Sequence, residues 1–192
     1  WGVYCFAGGM TSSMSLVALL TVYLQGNGYF KRVSTVEHLH DIGKLLFAFV
    51  VFFAYIGFCQ FFLIWYGNIP EETVFYHKRF IEGWKGMSWT LPLCHFALPF
   101  LLLLPRTVKR HPTGLTVGAI IMLVMHYVDM YWLIMPVLDE EAPHFSWIDL
   151  GGLLAPAGVL LTWIAWRASK DPIYPLKDPR IPETMRNDNG QG

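Results

Sequence analysis

The stretch EHLHDIGKLLFAFVVFFAYIGFCQFFLIWY, Glu37 to Tyr66, decides the fold. It opens on the titratable side chains Glu37, His38, His40, Asp41 and Lys44, then carries no formal charge from Leu45 to Tyr66. At about 1.5 Å rise per residue the uncharged part makes a helix of roughly 30 Å, the thickness of a bilayer's hydrocarbon core. It reads as a membrane-spanning helix with a titratable mouth.

Outward from that stretch, apolar blocks of similar length recur. The spans are expected at about Val3 to Leu24, Ile42 to Tyr66, Ser88 to Leu104, Gly114 to Leu138 and Trp147 to Trp166. The chain therefore reads as all-α, a polytopic transmembrane bundle of about five spans over residues 1–167, followed by an extended cytoplasmic tail over 168–192. It starts inside an apolar run, with neither an initiator Met nor a basic leader, and is expected to be the C-terminal part of a longer subunit.

Composition agrees. Of 192 residues, 54% are hydrophobic and 16% aromatic, and the apolar ones come in blocks too long for a soluble domain. A formal net charge of zero offers no basic face for nucleic acid. Cys5, Cys59 and Cys94 lie far apart without CxxC spacing, so they are expected as buried free thiols, not as anchors for a c-type haem or an iron–sulfur cluster.

Orientation follows from Lys and Arg in the short loops. Lys31 and Arg32, then Arg106, Lys109 and Arg110, then Arg167 and Lys170 place three regions on the cytoplasmic side. The acidic loop Asp139 to His144 falls outside. So must Gly67 to Met87, although that loop carries Lys78, Arg79 and Lys85 beside Glu71, Glu72 and Glu82. Trp65, Tyr66, Trp84, Trp89, Trp147 and Trp166 are expected as an interfacial aromatic belt. Pro92 and Pro99 interrupt the third span and Pro156 the fifth, each removing a helix hydrogen bond. The pairs Gly8–Gly9 and Gly151–Gly152 are expected to let helices approach closely.

An ionisable group at bilayer depth costs roughly 2.5 kcal/mol or more, which makes each one a functional candidate. His95 falls in the third span, His126 and Asp129 share one face of the fourth at i and i+3, and Asp149 sits at the outer mouth of the fifth. Counting rise puts His95 and Asp129 within about a turn of each other in depth, and His126 about four residues deeper than His95. Thr11, Ser12, Ser13, Ser15, Tyr55 and Gln60 lie at depths from which they can face them. This set suits a proton relay or a quinol head group. The plainer alternative is a buried Asp–His pair that fixes helix register. The depth offset disfavours a bis-His haem, and no metal site is expected. Glu37, His38, His40, Asp41 and Lys44 form either a cytoplasmic entry funnel or simple helix-end partners.

Four runs carry a family likeness: HDIGKLLFAF (His40 to Phe49), LIWYGNIPEET (Leu63 to Thr73), RTVKR (Arg106 to Arg110) and HYVDMYW (His126 to Trp132). Together they resemble the second large membrane subunit of bacterial alternative complex III, within the polysulfide-reductase membrane-subunit family. The resemblance runs from about Val36 to Tyr174. It implies a multi-pass subunit of the bacterial inner (cytoplasmic) membrane, within a quinol:cytochrome c type oxidoreductase, with about twice as many spans as this chain. Its implied partners are a homologous membrane subunit, an iron–sulfur protein and haem c proteins. The redox cofactors would sit in those partners, with menaquinone or another quinone and lipid nearby and none bound by this chain alone. It also implies that the subunit turns nothing over by itself. On the matching runs, His126 and Asp129, and His40, Asp41 and Lys44, are the residues implied; His95 and Asp149 rest on depth. The expectation is proton conduction coupled to quinol oxidation in a partner. The alternatives are a quinone site in this chain and a purely structural scaffold. A solute transporter is disfavoured because no inverted repeat is evident.

Overall fold

The computed structural model describes residues 1–29, 35–80, 82–139 and 142–170. Lys31, Arg32, Glu140, Glu141 and the tail from Asp171 onward lie outside the described residues. Within the described residues there is no strand. The helices are α1 (Gly2–Gly26), α2 (Val36–Gly67), α3 (Pro70–Arg79), α4 (Glu82–Thr90), α5 (Leu98–Leu103), α6 (Arg106–Arg110), α7 (Pro112–Ile134) and α8 (Trp147–Lys170). A π-helical stretch, Leu91–Ala97, joins α4 to α5, and a 3-10 turn, Met135–Val137, follows α7. Five runs are long and apolar enough to cross a membrane: Gly2–Gly26, Val36–Gly67, Gly83–Leu103, Pro112–Val137 and Trp147–Lys170. The all-α, membrane-type bundle is thus the observed architecture. The second run starts at Val36, not Ile42, because the titratable mouth is itself helical.

Buried positions on three helices recur at alternating steps of three and four. They are Tyr4, Gly8, Thr11, Ser15 and Ala18 on α1, Leu39, Gly43, Leu46, Val50 and Phe53 on α2, and Leu115, Gly118, Met122, Met125, Asp129 and Trp132 on α7. Such spacing keeps one stripe of each helix facing its neighbours. Small residues set how close the backbones come. A methyl group added at Gly43 would lie 3.0 Å from the Lys109 side chain, and one at Gly118 would lie 2.9 Å from Leu103. By contrast, one at Gly9, Gly151 or Gly152 would meet nothing within 4 Å, so only Gly8 of the two glycine pairs marks a close approach within this chain.

The seam divides into layers. Ala18, Leu39, Leu46, Val50, Leu103, Leu115, Ala119 and Met122 form a buried apolar layer toward the end that carries Glu37. At the opposite end Trp84, Tyr131 and Trp132 form an aromatic cap with Phe75 and Tyr76 packed on it. Trp84 is fully buried there and is no interfacial anchor, because its indole N–H donates to the Asp139 carbonyl (3.1 Å) under α3. The three thiols are free, but they are not buried within this chain: Cys5 is exposed, and Cys59 and Cys94 are half-buried.

The cap is held by Arg79, which is 1% exposed. Its Nε and Nη2 donate to the carbonyls of Trp132 (3.1 Å) and Leu133 (2.7 Å), in the last turn of α7, and Nη1 donates to Phe75 O (2.7 Å). Its guanidinium carbon stands 3.4 Å from the centroid of the Phe75 ring. Burial pushes this guanidinium down to about 10, while Tyr76 acts the other way, so it stays charged at neutral pH. A cation at a helix C-terminus meets both orphan carbonyls and the negative end of the dipole. Lys109 does the same for α5, donating to Leu104 O (3.4 Å). One Arg from a loop assigned to the outside and one Lys from a loop assigned to the cytoplasm therefore serve as helix-end partners, and the Arg79 charge does not count against that loop's placement.

α8 differs from the other long helices: none of its residues is buried within this chain, and Pro156 lies inside it. Tyr127 Oη, on α7, donates to the Asp149 carbonyl (3.2 Å) at its start.

Arg79→Gln leaves two α7 carbonyls in the dry cap without a donor, at roughly 1–3 kcal/mol for each such group. We expect it to lower thermal stability in detergent, read by tryptophan fluorescence, and Arg79→Lys to restore only part of the loss, because an ammonium cannot fork between two acceptors. An unchanged melting temperature for both would show that the cap does not depend on this residue.

Candidate functional site

At the level of the seam between the apolar layer and the aromatic cap, the polar side chains of three elements meet. Asp129 of α7 has no exposed surface, and Tyr4 of α1 donates its hydroxyl hydrogen bond to Asp129 Oδ1. His126 lies one turn back on the same face of α7 and presses on Gly8, where an added Cβ would fall 2.8 Å from its Cε1. Tyr4 and Gly8 are i and i+4 on α1, Asp129 and His126 i+3 and i on the antiparallel α7. The two helices therefore match residue for residue, and the shared face expected for His126 and Asp129 is the observed one.

His95 comes from the π-helical stretch and is 1% exposed. Its ring stacks at 4.4 Å from Phe53 and lies 6.4 Å, centroid to centroid, from His126. The two imidazoles are neighbours, at a separation compatible with the offset of about four residues counted from the sequence. A π turn holds an additional residue, which shifts such a count by about one position. Pro92 lies within that stretch and Pro99 just after it, and neither has an N–H to donate, which makes a departure from the α ladder cheapest there. The Phe53 ring and the Gly8 backbone already pack on these two imidazoles. Among the described residues no group of three or more His, Cys, Asp or Glu side chains is placed to hold a metal ion.

Four buried polar atoms of this cluster have no hydrogen-bond partner among the described residues: His95 Nδ1 and Nε2, His126 Nδ1 and Asp129 Oδ2. Buried polar atoms are almost always paired, so four in one seam mark a place where groups able to carry protons have incomplete hydrogen bonds. The hydroxyls expected to join them do not. Thr11, Ser12, Ser13 and Ser15 donate to the carbonyls one turn back on their own helix. Tyr55 is 63% exposed, and Gln60 is half-buried. Asp149 stands apart at the start of α8, where its Oδ2 accepts from the Ser146 N–H (2.7 Å) as a helix-end partner.

The mouth separates into three parts. Glu37, 6% exposed, is joined by Arg110 at 2.6 Å, with His40 Nδ1 at 3.7 Å, tying the start of α2 to α6. His38 Nδ1 accepts the Thr35 N–H (3.1 Å) and so completes the N-terminal cap of α2. Asp41 and Lys44 pair at 2.7 Å on the exposed side. Between this mouth and the His–Asp cluster lies the apolar layer described above.

Beside the cluster lies a cavity of about 690 Å³, walled by Tyr4, Phe53, Phe58, Phe61, Trp89 and Trp132 among others. Asp129, His126 and His95 are not part of its wall. Sequence reasoning missed Tyr4, Arg110 and Arg79 as partners. The signal for Tyr4 was its place on the stripe 4, 8, 11, 15, 18; Arg110 and Arg79 carry no local signal.

Fold and site define a polytopic membrane-type helical bundle with a carboxylate, two imidazoles and a phenol gathered in its seam. Against known proteins, no family model and no curated sequence matches the chain.

Gly8→Ala must move the His126 ring or the α1–α7 backbone. An overpacked site of this kind costs about 1–3 kcal/mol. We expect a lower melting temperature and a changed His126 imidazole NMR signal; a variant with neither would show that α1 does not press on His126.

Proposed function

We propose that the chain is an integral subunit of a bacterial inner-membrane quinol:cytochrome c type oxidoreductase and carries protons while a partner subunit oxidises quinol. The observation that carries this reading is the set of unpaired buried atoms on His95, His126 and Asp129, in a seam where ionisable groups are expensive. A carboxyl and two imidazoles in one buried seam, the imidazole centroids 6.4 Å apart, suit proton transfer, which needs donors and acceptors free to exchange partners. The four runs that resemble the second membrane subunit of alternative complex III give the setting. The layer from Ala18 to Met122 is apolar, and the buried Thr11 and Ser15 hydroxyls on the same stripe are held by backbone carbonyls, so in this reading the path from Asp129 to the Glu37 end continues along other residues of the assembly. Glu37, His40 and Arg110 are its entry at the cytoplasmic side in this reading.

A second reading, a quinone site in this chain, is favoured by the cavity alone. It is large, almost wholly apolar and aromatic, and has the Tyr4 ring in its wall. A quinone held there would supply the redox chemistry; Tyr4 and Asp129 would hold or take its proton, and the aromatic walls would keep water away.

Asp129→Asn in the whole complex, reconstituted in liposomes, separates these readings when quinol oxidation and proton release are recorded together. We expect oxidation to persist and proton translocation to fall by about tenfold or more. Collapse of oxidation in an assembled complex would assign Asp129 to a quinol site. No change in either would make the cluster a structural pairing.

A further inference from the structure

The relay needs a way out of the seam at the capped end; Asp129 and His95 do not reach a surface, whereas His126 is half-buried. Asp129 has no exposed area and His95 has 1%, and neither they nor His126 contribute to the cavity wall. One side chain belongs to both places. Tyr4 donates to Asp129 Oδ1, and the same residue lines the 690 Å³ cavity. Its ring is fixed by Phe53 at 5.0 Å and by Trp1 at 5.8 Å, and Gly57 leaves room for it: a Cβ there would come within 3.3 Å of Tyr4 Cε2. The cavity extends from Tyr4 to Tyr76 and Phe80 in the cap, and Tyr4, Tyr55, Tyr76 and Ser88 give its otherwise aromatic wall four hydroxyl-bearing residues. Ser88 Oγ is already bonded to the Arg79 and Trp84 carbonyls and accepts from Trp132 Nε1, so the polar partners that an entering water needs are the three phenols.

We propose that Tyr4 is the residue through which Asp129 exchanges its proton with water in this cavity. The inference rests on the relay reading above. In the inward direction a hydronium on the cavity side gives a proton to the Tyr4 oxygen while the proton Tyr4 already donates crosses to Asp129 Oδ1. One O–H bond forms and one breaks at Tyr4, the carboxylate becomes a carboxyl, water is left behind and no electron moves. The reverse sequence discharges Asp129. A phenol suits this task because its one oxygen both accepts and donates.

Two variants test it in the assembled complex in liposomes, with protons translocated per quinol oxidised as the readout. Tyr4→Phe removes the hydroxyl and keeps the ring. Ala54→Phe, at a half-buried cavity-wall position, fills the cavity and keeps the Tyr4 hydroxyl. We expect each to lower the ratio by about tenfold or more, and the double variant to do no worse than either alone, as for two blocks in one path. A drop with Tyr4→Phe alone would make Tyr4 a mere support for Asp129, and a drop with Ala54→Phe alone would put the route elsewhere along the cavity; each overturns the proposal. So does collapse of quinol oxidation with Ala54→Phe, which would make the cavity a ligand site. Should Tyr4→Phe fail to assemble, Ala54→Phe decides. If Asp129→Asn changes the ratio and neither of these variants does, the inference falls and the relay stands; if Asp129→Asn has no effect, the relay itself falls.

Discussion

Helices share a seam only as closely as their side chains allow, and in this chain α1 must lie against both α2 and α7. Gly8 on α1, whose added Cβ would meet His126 of α7 and Phe53 of α2, marks that approach, with Ala7 and Ala18 buried on the same helix; Gly43 and Gly118 do the same for Lys109 and Leu103. Everything that follows depends on it. With the backbones this near, a side chain as short as Asp129 meets a partner on the next helix, and an imidazole finds room only where the facing residue is glycine. In lipid no hydrophobic force drives helices together, so packing and interhelical hydrogen bonds carry the association, and the Tyr4–Asp129 bond lies at the point where both act.

Charge is placed by a second rule. Each strongly basic side chain that the bundle buries meets a helix end or a carboxylate. Arg79 takes the last carbonyls of α7, Lys109 a carbonyl beyond α5, and Arg110 the carboxylate of Glu37. The carboxylate of Asp129 has no such cation on it, and its partner is a neutral phenol. The two ends of the bundle are therefore electrostatically settled, whereas the middle contains the groups whose hydrogen bonds are incomplete. A layer of aliphatic side chains separates the settled mouth from the incomplete middle.

The five apolar runs were legible from the sequence because a span of this length without charge has few other uses. The shared face of His126 and Asp129 was legible for a similar reason: three residues apart on a helix is a fixed geometry. His95 lies near His126, as its reading as a neighbour of that pair expected, but the π-helical stretch between Leu91 and Ala97 that carries it was not legible, because nothing in the prolines alone fixes where the additional residue goes. Trp84 misled because indole is common at interfaces, and only the tertiary contact with Tyr131 makes it core. Tyr4 was readable in retrospect from the three–four spacing of α1. Reading apolar blocks as uniform hid that stripe, in which the polar positions are the buried ones.

The Arg79 clamp also sets an order in time. Its acceptors on Trp132 and Leu133 follow it by 53 and 54 residues. At about 5–20 residues per second of synthesis, roughly 3–10 s pass before those carbonyls exist. Over that interval the guanidinium has only its local partner, Phe75 O, one turn back on α3. The cap closes only after the fourth span has been delivered, and a nascent chain cut short before Leu133 carries a guanidinium without its two α7 acceptors.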